Sequence, residues 1–169
     1  MSKSRSLSNI RKVTVCAVMM ALAFGLSFVP LAQMPLGGKI TLFSMLPICF
    51  VAIKYGVLWG LGTAFCYSWL QVLQGGVFAW GLTPGILIAS LLLDYIVAFT
   101  VLGLAGVFGK KKRWCYVLGT IFACVLRFVS HFVSGVVLWA EYDAFEVFGI
   151  SYEGMPVLYS LFYNGFYMI

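Results

Sequence analysis

Residues 86–108, ILIASLLLDYIVAFTVLGLAGVF, are the stretch from which the fold of this chain can be read. The stretch is long enough to cross a bilayer, because a transmembrane helix needs about 20 predominantly apolar residues. Asp94 is its only acidic residue. A carboxylate in hydrocarbon is costly, so an acidic residue at such a position marks a ligand, ion or proton site by default, and it needs a partner.

The rest of the chain has the same character. Of its 169 residues, 63% are hydrophobic and 9% are charged, whereas about a quarter of the residues of soluble domains are charged. The sequence predicts an all-α membrane protein with a single domain over residues 1–169, built as a bundle of six transmembrane helices. The predicted segments are residues 13–29, 40–53, 57–72, 86–108, 114–140 and 157–169. The second segment is short and closely joined to the third. The last is too short to cross, so we expect the sixth helix to be truncated at its C-terminal end.

Basic residues fall at one end of the predicted bundle. They are Lys3, Arg5, Arg11, Lys12, Lys54 and the run at residues 110–113. The opposite loops carry Lys39 together with Glu141, Asp143, Glu146 and Glu153. The positive-inside rule therefore predicts a multi-pass protein of the cell membrane whose basic N-terminus, residues 1–12, is cytoplasmic. Because the basic residues flank spans and form no folded basic face, the net charge of +6 does not indicate nucleic-acid binding.

Three polar side chains on three predicted helices reach a similar depth. At a rise of 1.5 Å per residue, Asp94 and His131 each lie about 14 Å below the outer ends of their segments, and Asn164 about 12 Å. This agreement predicts one site in the outer half of the membrane, open to the exterior. An acidic group among the many nearby aromatic residues suits an organic cation with a flat ring, since each ring face adds about 0.5–2 kcal/mol of cation–π attraction. The main alternative is a structural ion pair between Asp94 and Arg127.

Small residues recur every four positions along the first segment, at Ala17, Ala21 and Gly25. Such a strip lets two helices approach closely in lipid. It serves either packing within the bundle or docking onto another membrane subunit. The docking interpretation gains weight because the sequence contains no GxxxxGK[ST] phosphate loop, so ATP hydrolysis is expected on separate chains.

Several motifs give the chain a resemblance to a known family. They are Leu93-Asp94-Tyr95 followed by Ala98, the sequence RFVSHFVSGVVLW at residues 127–139, and Leu158-Tyr159-Ser160-Leu161 with Asn164-Gly165. In these motifs the chain resembles the S components of energy-coupling factor (ECF) vitamin importers, and among them the thiamine transporters. The strip on the first helix also resembles the surface with which that family contacts its transmembrane coupling subunit.

The resemblance implies a thiamine-binding subunit that is not an enzyme and needs no cofactor. Uptake would be driven by a transmembrane coupling subunit and two ATP-binding cassette ATPases. The implied ligand residues are Asp94, Tyr95, His131, Trp139, Tyr159 and Asn164. Some family members have glutamate where this chain has Asp94. The aromatic lid residue of some members has no counterpart in residues 34–41, so Gly37 and Trp80 are the candidate lid positions.

Other functions remain as alternatives at this point. An S component for another vitamin, such as riboflavin, gives no reason for a buried Asp94, because a flavin is neutral. An intramembrane enzyme using Asp94 and His131 would need a second catalytic carboxylate, a nucleophile–base motif or a metal-binding set, and no such motif accompanies them. The five cysteines lie in or beside apolar segments without metal-ligand spacing, so we expect packing roles and no metal site. A purely structural membrane subunit would bind no small molecule.

Overall fold

Six helices and two short β-hairpins make up the described part of the computed structural model, which covers residues 2–33, 39–41, 43–109, 112–139, 146–147, 150–152 and 154–167. In chain order they are α1 (Ser2–Ser27), β1 (Pro30–Gln33), β2 (Lys39–Thr41), α2 (Leu46–Tyr55), α3 (Val57–Gly75), α4 (Pro84–Gly106), α5 (Arg113–Trp139), β3 (Glu146–Val147), β4 (Ile150–Ser151) and α6 (Pro156–Tyr167). The all-α class is confirmed. The antiparallel pairs β1–β2 and β3–β4 were not predicted.

Three helical stretches within the described residues are long and apolar enough to cross a membrane. They are Ser8–Ser27, Pro84–Gly106 and Arg113–Trp139. Helix α2 is apolar as well but has only 10 residues. These lengths and compositions are those of a multi-pass membrane protein.

The second predicted segment was placed too early in the chain. The helix begins at Leu46 and not at residue 40, and Lys39–Thr41 form a strand instead. Pro47 explains the start, because proline lacks a backbone N–H and is tolerated only in the first turn of a helix. The close junction with the third segment is confirmed. Gly56, with φ of 97°, turns the chain between α2 and α3, a backbone conformation that favours glycine.

Small residues bring α2, α3, α4 and α5 into backbone contact. A Cβ added to Gly60 would overlap Ala52 of α2 and the carbonyl of Gly103 on α4. A Cβ on Gly119 of α5 would overlap the carbonyl of Ala105 on α4. Helices in lipid associate through such close packing, since they gain no hydrophobic driving force from one another. The contact sets α4 and α5 side by side, and this brings their polar residues together.

Helix α1 is held to the bundle along one face. Cys16, Ala23 and Ser27 are buried there. The Tyr67 hydroxyl donates to the Ala23 carbonyl over 3.4 Å. Ser27 Oγ donates to Gln74 Oε1 over 2.7 Å, while Gln74 Nε2 donates back to the Ser27 carbonyl over 3.2 Å. This reciprocal pair fixes the rotation of α1 and leaves its opposite face pointing outward.

Candidate ligand-binding site

The Asp94 carboxylate lies where α4 faces α5 and is hydrogen-bonded to four described side chains. Oδ2 accepts from the hydroxyls of Ser134 (2.7 Å) and Ser90 (3.0 Å) and from the indole N–H of Trp139 (3.2 Å). Oδ1 lies 3.2 Å from Nδ1 of His131. The Asp94 side chain is 16% exposed. It is therefore solvated largely by protein donors, as a buried charge requires, and part of it stays reachable.

Two stretches of π-helix position these groups. Leu91–Val97 of α4 carries Asp94, and Gly135–Trp139 at the end of α5 carries Trp139. Ser130 joins the two helices at this level by donating to the Leu93 carbonyl over 2.6 Å. π-helical turns are rare and occur frequently at functional sites, because the wider turn re-aims the side chains that follow it.

Within the described residues, Arg127 is linked to Asp94 through His131. The Arg127 Nε–H donates to His131 Nε2 over 3.3 Å, and its guanidinium lies 4.3 Å from the centre of the Phe99 ring. Among the described side chains, the ion-pairing partner of Asp94 is His131. The alternative of a direct Asp94–Arg127 ion pair is therefore wrong, because the imidazole occupies the space between the two charges.

Helix α6 brings a third polar residue to the same place. Asn164 is 5% exposed, and its Nδ2 donates to the carbonyls of His131 (3.3 Å) and Ser160 (2.9 Å). The three side chains that share a predicted depth, those of Asp94, His131 and Asn164, thus meet in one region between α4, α5 and α6. The depth argument identified this meeting from the sequence.

Gly135 allows α6 to approach this closely. A Cβ at this position would overlap Ser160 Oγ and lie 3.2 Å from Asn164 Nδ2. We expect Gly135→Ala to lower the free energy of unfolding by about 1–3 kcal/mol, because overpacking pushes α6 off α5. Thermal unfolding in detergent measures the change. Gly62→Ala is the matched control: its Cβ would meet nothing within 4 Å, so it should be neutral or slightly stabilising. Equal effects of the two substitutions would contradict the close-approach role.

The two tyrosines implied by the resemblance lie at the borders of this region. Tyr95 packs against the end of α3, where a Cβ on Gly75 would overlap its hydroxyl. Tyr159 is 3% exposed and stacks on Tyr163 with ring centres 5.6 Å apart. Tyr159 lies within α6, five residues before Asn164.

Of the two candidate lid residues, Trp80 is beside the site. It follows a short 3-10 turn, Val77–Ala79, after α3, and its ring meets that of Trp139 edge to face at 5.6 Å between centres. Trp80 is 43% exposed, so it covers Trp139 from the outside of the bundle. Gly37 lies outside the described residues.

The strip of Ala17, Ala21 and Gly25 lies on the exposed face of α1. A Cβ on Gly25 would meet nothing within 4 Å. Among the described residues, the contacts of α1 with α3 come from its opposite face, which argues against packing within the bundle for these three residues. The strip is a flat, small-residue surface available to another helix.

Sequence reasoning overlooked three serines. Ser90 precedes Asp94 by four residues and donates to it, and Ser160 precedes Asn164 by four residues and accepts from its amide over 3.1 Å. Ser130 joins α5 to α4. A small hydroxyl residue one helical turn before an intramembrane polar residue was the signal that could have identified the first two.

All five cysteines are free thiols. Within the described residues no group of three His, Cys, Asp or Glu side chains is placed to hold a metal ion. Cys16 and Cys49 are buried, as expected of packing residues, whereas Cys66 is exposed and Cys115 and Cys124 are partly buried.

Residues 13–169 match the family model described as thiamine transporter protein (Thia_YuaJ). This chain belongs to the thiamine transporter family. A curated relative, the thiamine transporter ThiT of Bacillus subtilis (strain 168), is 30% identical over an alignment of 185 residues that spans 100% of this chain and 86% of the relative. A solved structure of ThiT from Listeria monocytogenes superposes with a TM-score of 0.68 at 25% identity, covering 95% of this chain and 86% of that one. The family resemblance seen in the sequence is thereby confirmed.

Proposed function

We propose that this member of the thiamine transporter family is the high-affinity thiamine-binding S component of an ECF-type importer, with Asp94 as the carboxylate that receives the cationic vitamin. The observation that carries the proposal is the environment of that carboxylate. It is ringed by fixed donors from two helices, remains 16% exposed, and lies beside the Trp139 indole. Such preorganisation suits a ligand that brings positive charge and aromatic surface together.

Thiamine has two features that these residues match. Its thiazolium ring is a flat cation, which Asp94 would neutralise and the faces of Trp139 and Trp80 would stack against or cover. Its aminopyrimidine ring offers hydrogen-bond donors and acceptors to the Asn164 amide and would lie beside the His131 imidazole, with Tyr95 and Tyr159 completing the walls. Trp80, whose ring contacts that of Trp139, would act as the lid.

The distribution of basic residues supports an orientation with the site facing outward. Lys12 lies 5.6 Å from the ring centre of Trp59, so the start of α1 and the start of α3 are at the same end of the bundle. Lys54 ends α2 and Arg113 begins α5 at that end as well. By the positive-inside rule this end is cytoplasmic. Asp94 is ten residues into α4 from the other end, about 15 Å at 1.5 Å per residue.

The exposed strip on α1 supports the transport half of the proposal. Thiamine would be captured outside, and the loaded subunit would dock through Ala17, Ala21 and Gly25 on a transmembrane coupling subunit. Two ATP-binding cassette ATPases attached to that subunit would drive release into the cell. A flat strip of small residues lets a partner helix approach closely in lipid, where packing is the main source of affinity.

The hydrogen-bond directions argue against the enzyme alternative. In a nucleophile–base pair the serine donates to the histidine, but here Ser90 and Ser134 lie on the Asp94 carboxylate. The remaining imidazole nitrogen, Nε2 of His131, accepts from Arg127 and is not available as a base. A riboflavin subunit would not need the carboxylate, because the flavin ring is neutral.

The direct test is a tryptophan-fluorescence titration of the detergent-purified protein with thiamine, and with riboflavin as the comparison ligand. We expect saturable quenching by thiamine alone, because Trp80 and Trp139 are in contact with each other beside Asp94. Trp114→Phe is the matched control. Trp114 is 73% exposed at the opposite end of α5, so this variant should keep the quenching, whereas Trp80→Phe should lose much of it. Folded protein that responds to neither ligand would refute the proposal.

A further inference from the structure

Arg127 is a fully buried cation whose role the proposed function does not use. It is 1% exposed, among the largest fully buried side chains of the described residues. Its Nη1 contacts the Met45 sulfur of α2, its guanidinium lies over the Phe99 ring at 4.3 Å, and its Nε–H points to His131 Nε2 at 3.3 Å. A buried charge is costly to desolvate, so a residue held in this way calls for a functional reason.

The direction of the Arg127–His131 hydrogen bond fixes where the imidazole proton lies. A guanidinium has only donors, so Nε2 of His131 must be the acceptor and cannot carry a proton. The proton of the neutral imidazole is then on Nδ1, which faces Asp94 Oδ1 at 3.2 Å and donates to it. We propose that Arg127 is a positioning residue: it selects the Nδ1–H tautomer of His131, which orients the Asp94 carboxylate and keeps an imidazolium from pairing with it.

The charges around the imidazole show what Arg127 prevents. Asp94 faces it from α4 and Arg127 from its own helix, while Asn164 of α6 donates to the backbone carbonyl of His131. Without Arg127, Nε2 could take up a second proton, and the resulting imidazolium would pair with Asp94. In that pair the imidazolium would already neutralise the Asp94 carboxylate, which could then not neutralise a cationic ligand. This consequence for the ligand depends on the proposed function, whereas the tautomer itself does not.

The tautomer can be measured directly, because His131 is the only histidine of the chain. The full chain, purified with a tag that lacks histidine and labelled with 15N-histidine, gives one pair of imidazole nitrogen signals that need no assignment between sites. Without thiamine, we expect a protonated Nδ1 and an unprotonated Nε2 from about pH 5.5 to pH 8, the range in which histidines ordinarily titrate. A protonated Nε2 in the wild-type protein at neutral pH would overturn the proposal.

Substitutions separate positioning from a merely structural role. Arg127→Met removes the donor, so Nε2 should become protonated and the thiamine dissociation constant should rise at least about 10-fold and become pH-dependent. Arg127→Lys keeps a group that can only donate, and it should retain the Nδ1–H tautomer. Arg113→Met, the same change at the start of α5, is the control and should alter neither signal. An unchanged tautomer in Arg127→Met would refute positioning. If Arg127→Met does not fold, the spectra of the wild type and of Arg127→Lys still test the tautomer of His131. Neither spectrum requires that thiamine bind.

Discussion

Asp94→Asn should weaken thiamine binding by about 30-fold or more, since truncating one partner of a buried hydrogen-bonded charge pair costs about 2–5 kcal/mol. The change removes the negative charge that would meet the thiazolium. It also replaces a carboxylate oxygen, which accepts hydrogen bonds, by an amide N–H₂, which donates, although the groups around it are donors as well. The hydroxyls of Ser90 and Ser134 can turn to accept, but the Trp139 N–H cannot. Isothermal titration calorimetry of the detergent-purified variant measures the loss.

Two further variants separate the effect of losing the negative charge from the effect of losing one hydrogen bond. Ser90→Ala removes one of the donors to Oδ2 and leaves the charge, so the dissociation constant should rise only about 3- to 10-fold, in line with the net contribution of about 0.5–1.5 kcal/mol from a typical intramolecular hydrogen bond. Asp94→Glu keeps the charge on a side chain one methylene longer and should bind more tightly than Asp94→Asn. A folded Asp94→Asn variant with wild-type affinity would remove Asp94 from the ligand site and leave it a purely structural acceptor.

The meeting of Asp94, His131 and Asn164 could be predicted because it depends on two regular quantities. One is the constant rise of a helix, and the other is the depth at which a span begins. Each polar residue also stood out against an apolar background, where a polar side chain must find a partner. The strip on α1 could be predicted because a period of four residues persists along any straight helix. Its exposure followed once the opposite face was packed.

Other features depended on departures from regularity. The π-helical stretches Leu91–Val97 and Gly135–Trp139 change which residues share a helix face. No residue type in these stretches predicts the wider turn. The hydrogen bond from the Trp139 indole N–H to Asp94 could not be predicted from the sequence. The alternative of an Asp94–Arg127 ion pair arose because pairing the nearest opposite charges in the sequence ignores the imidazole between them. The hairpins were missed because their strands are two to four residues long and carry little periodic signal.

Ala21→Trp should leave thiamine binding within about 3-fold of the wild type and reduce uptake at least about 10-fold. Ala21 lies on the exposed face of α1, away from the contacts of Ala23 and Ser27 with α3, so the bundle itself should tolerate the larger side chain. A partner helix would be held several ångströms further away, and dispersion contacts between helices fall steeply with distance. Affinity is measured on the isolated subunit, and uptake of labelled thiamine is measured in proteoliposomes that also contain the coupling subunit and ATPases.

Val125→Trp supplies the matched control, because Val125 is 51% exposed within the lipid-crossing part of α5 and lies on a different helix from the strip. It adds a tryptophan of the same size to a surface that faces lipid, so both binding and uptake should survive. Uptake retained in Ala21→Trp would exclude the strip as the docking surface while leaving the binding site untouched. Loss of uptake in both variants would show that any bulky group on the outer surface interferes. Loss in Ala21→Trp alone, with binding intact, separates capture of the ligand from its delivery and assigns the second step to one face of α1.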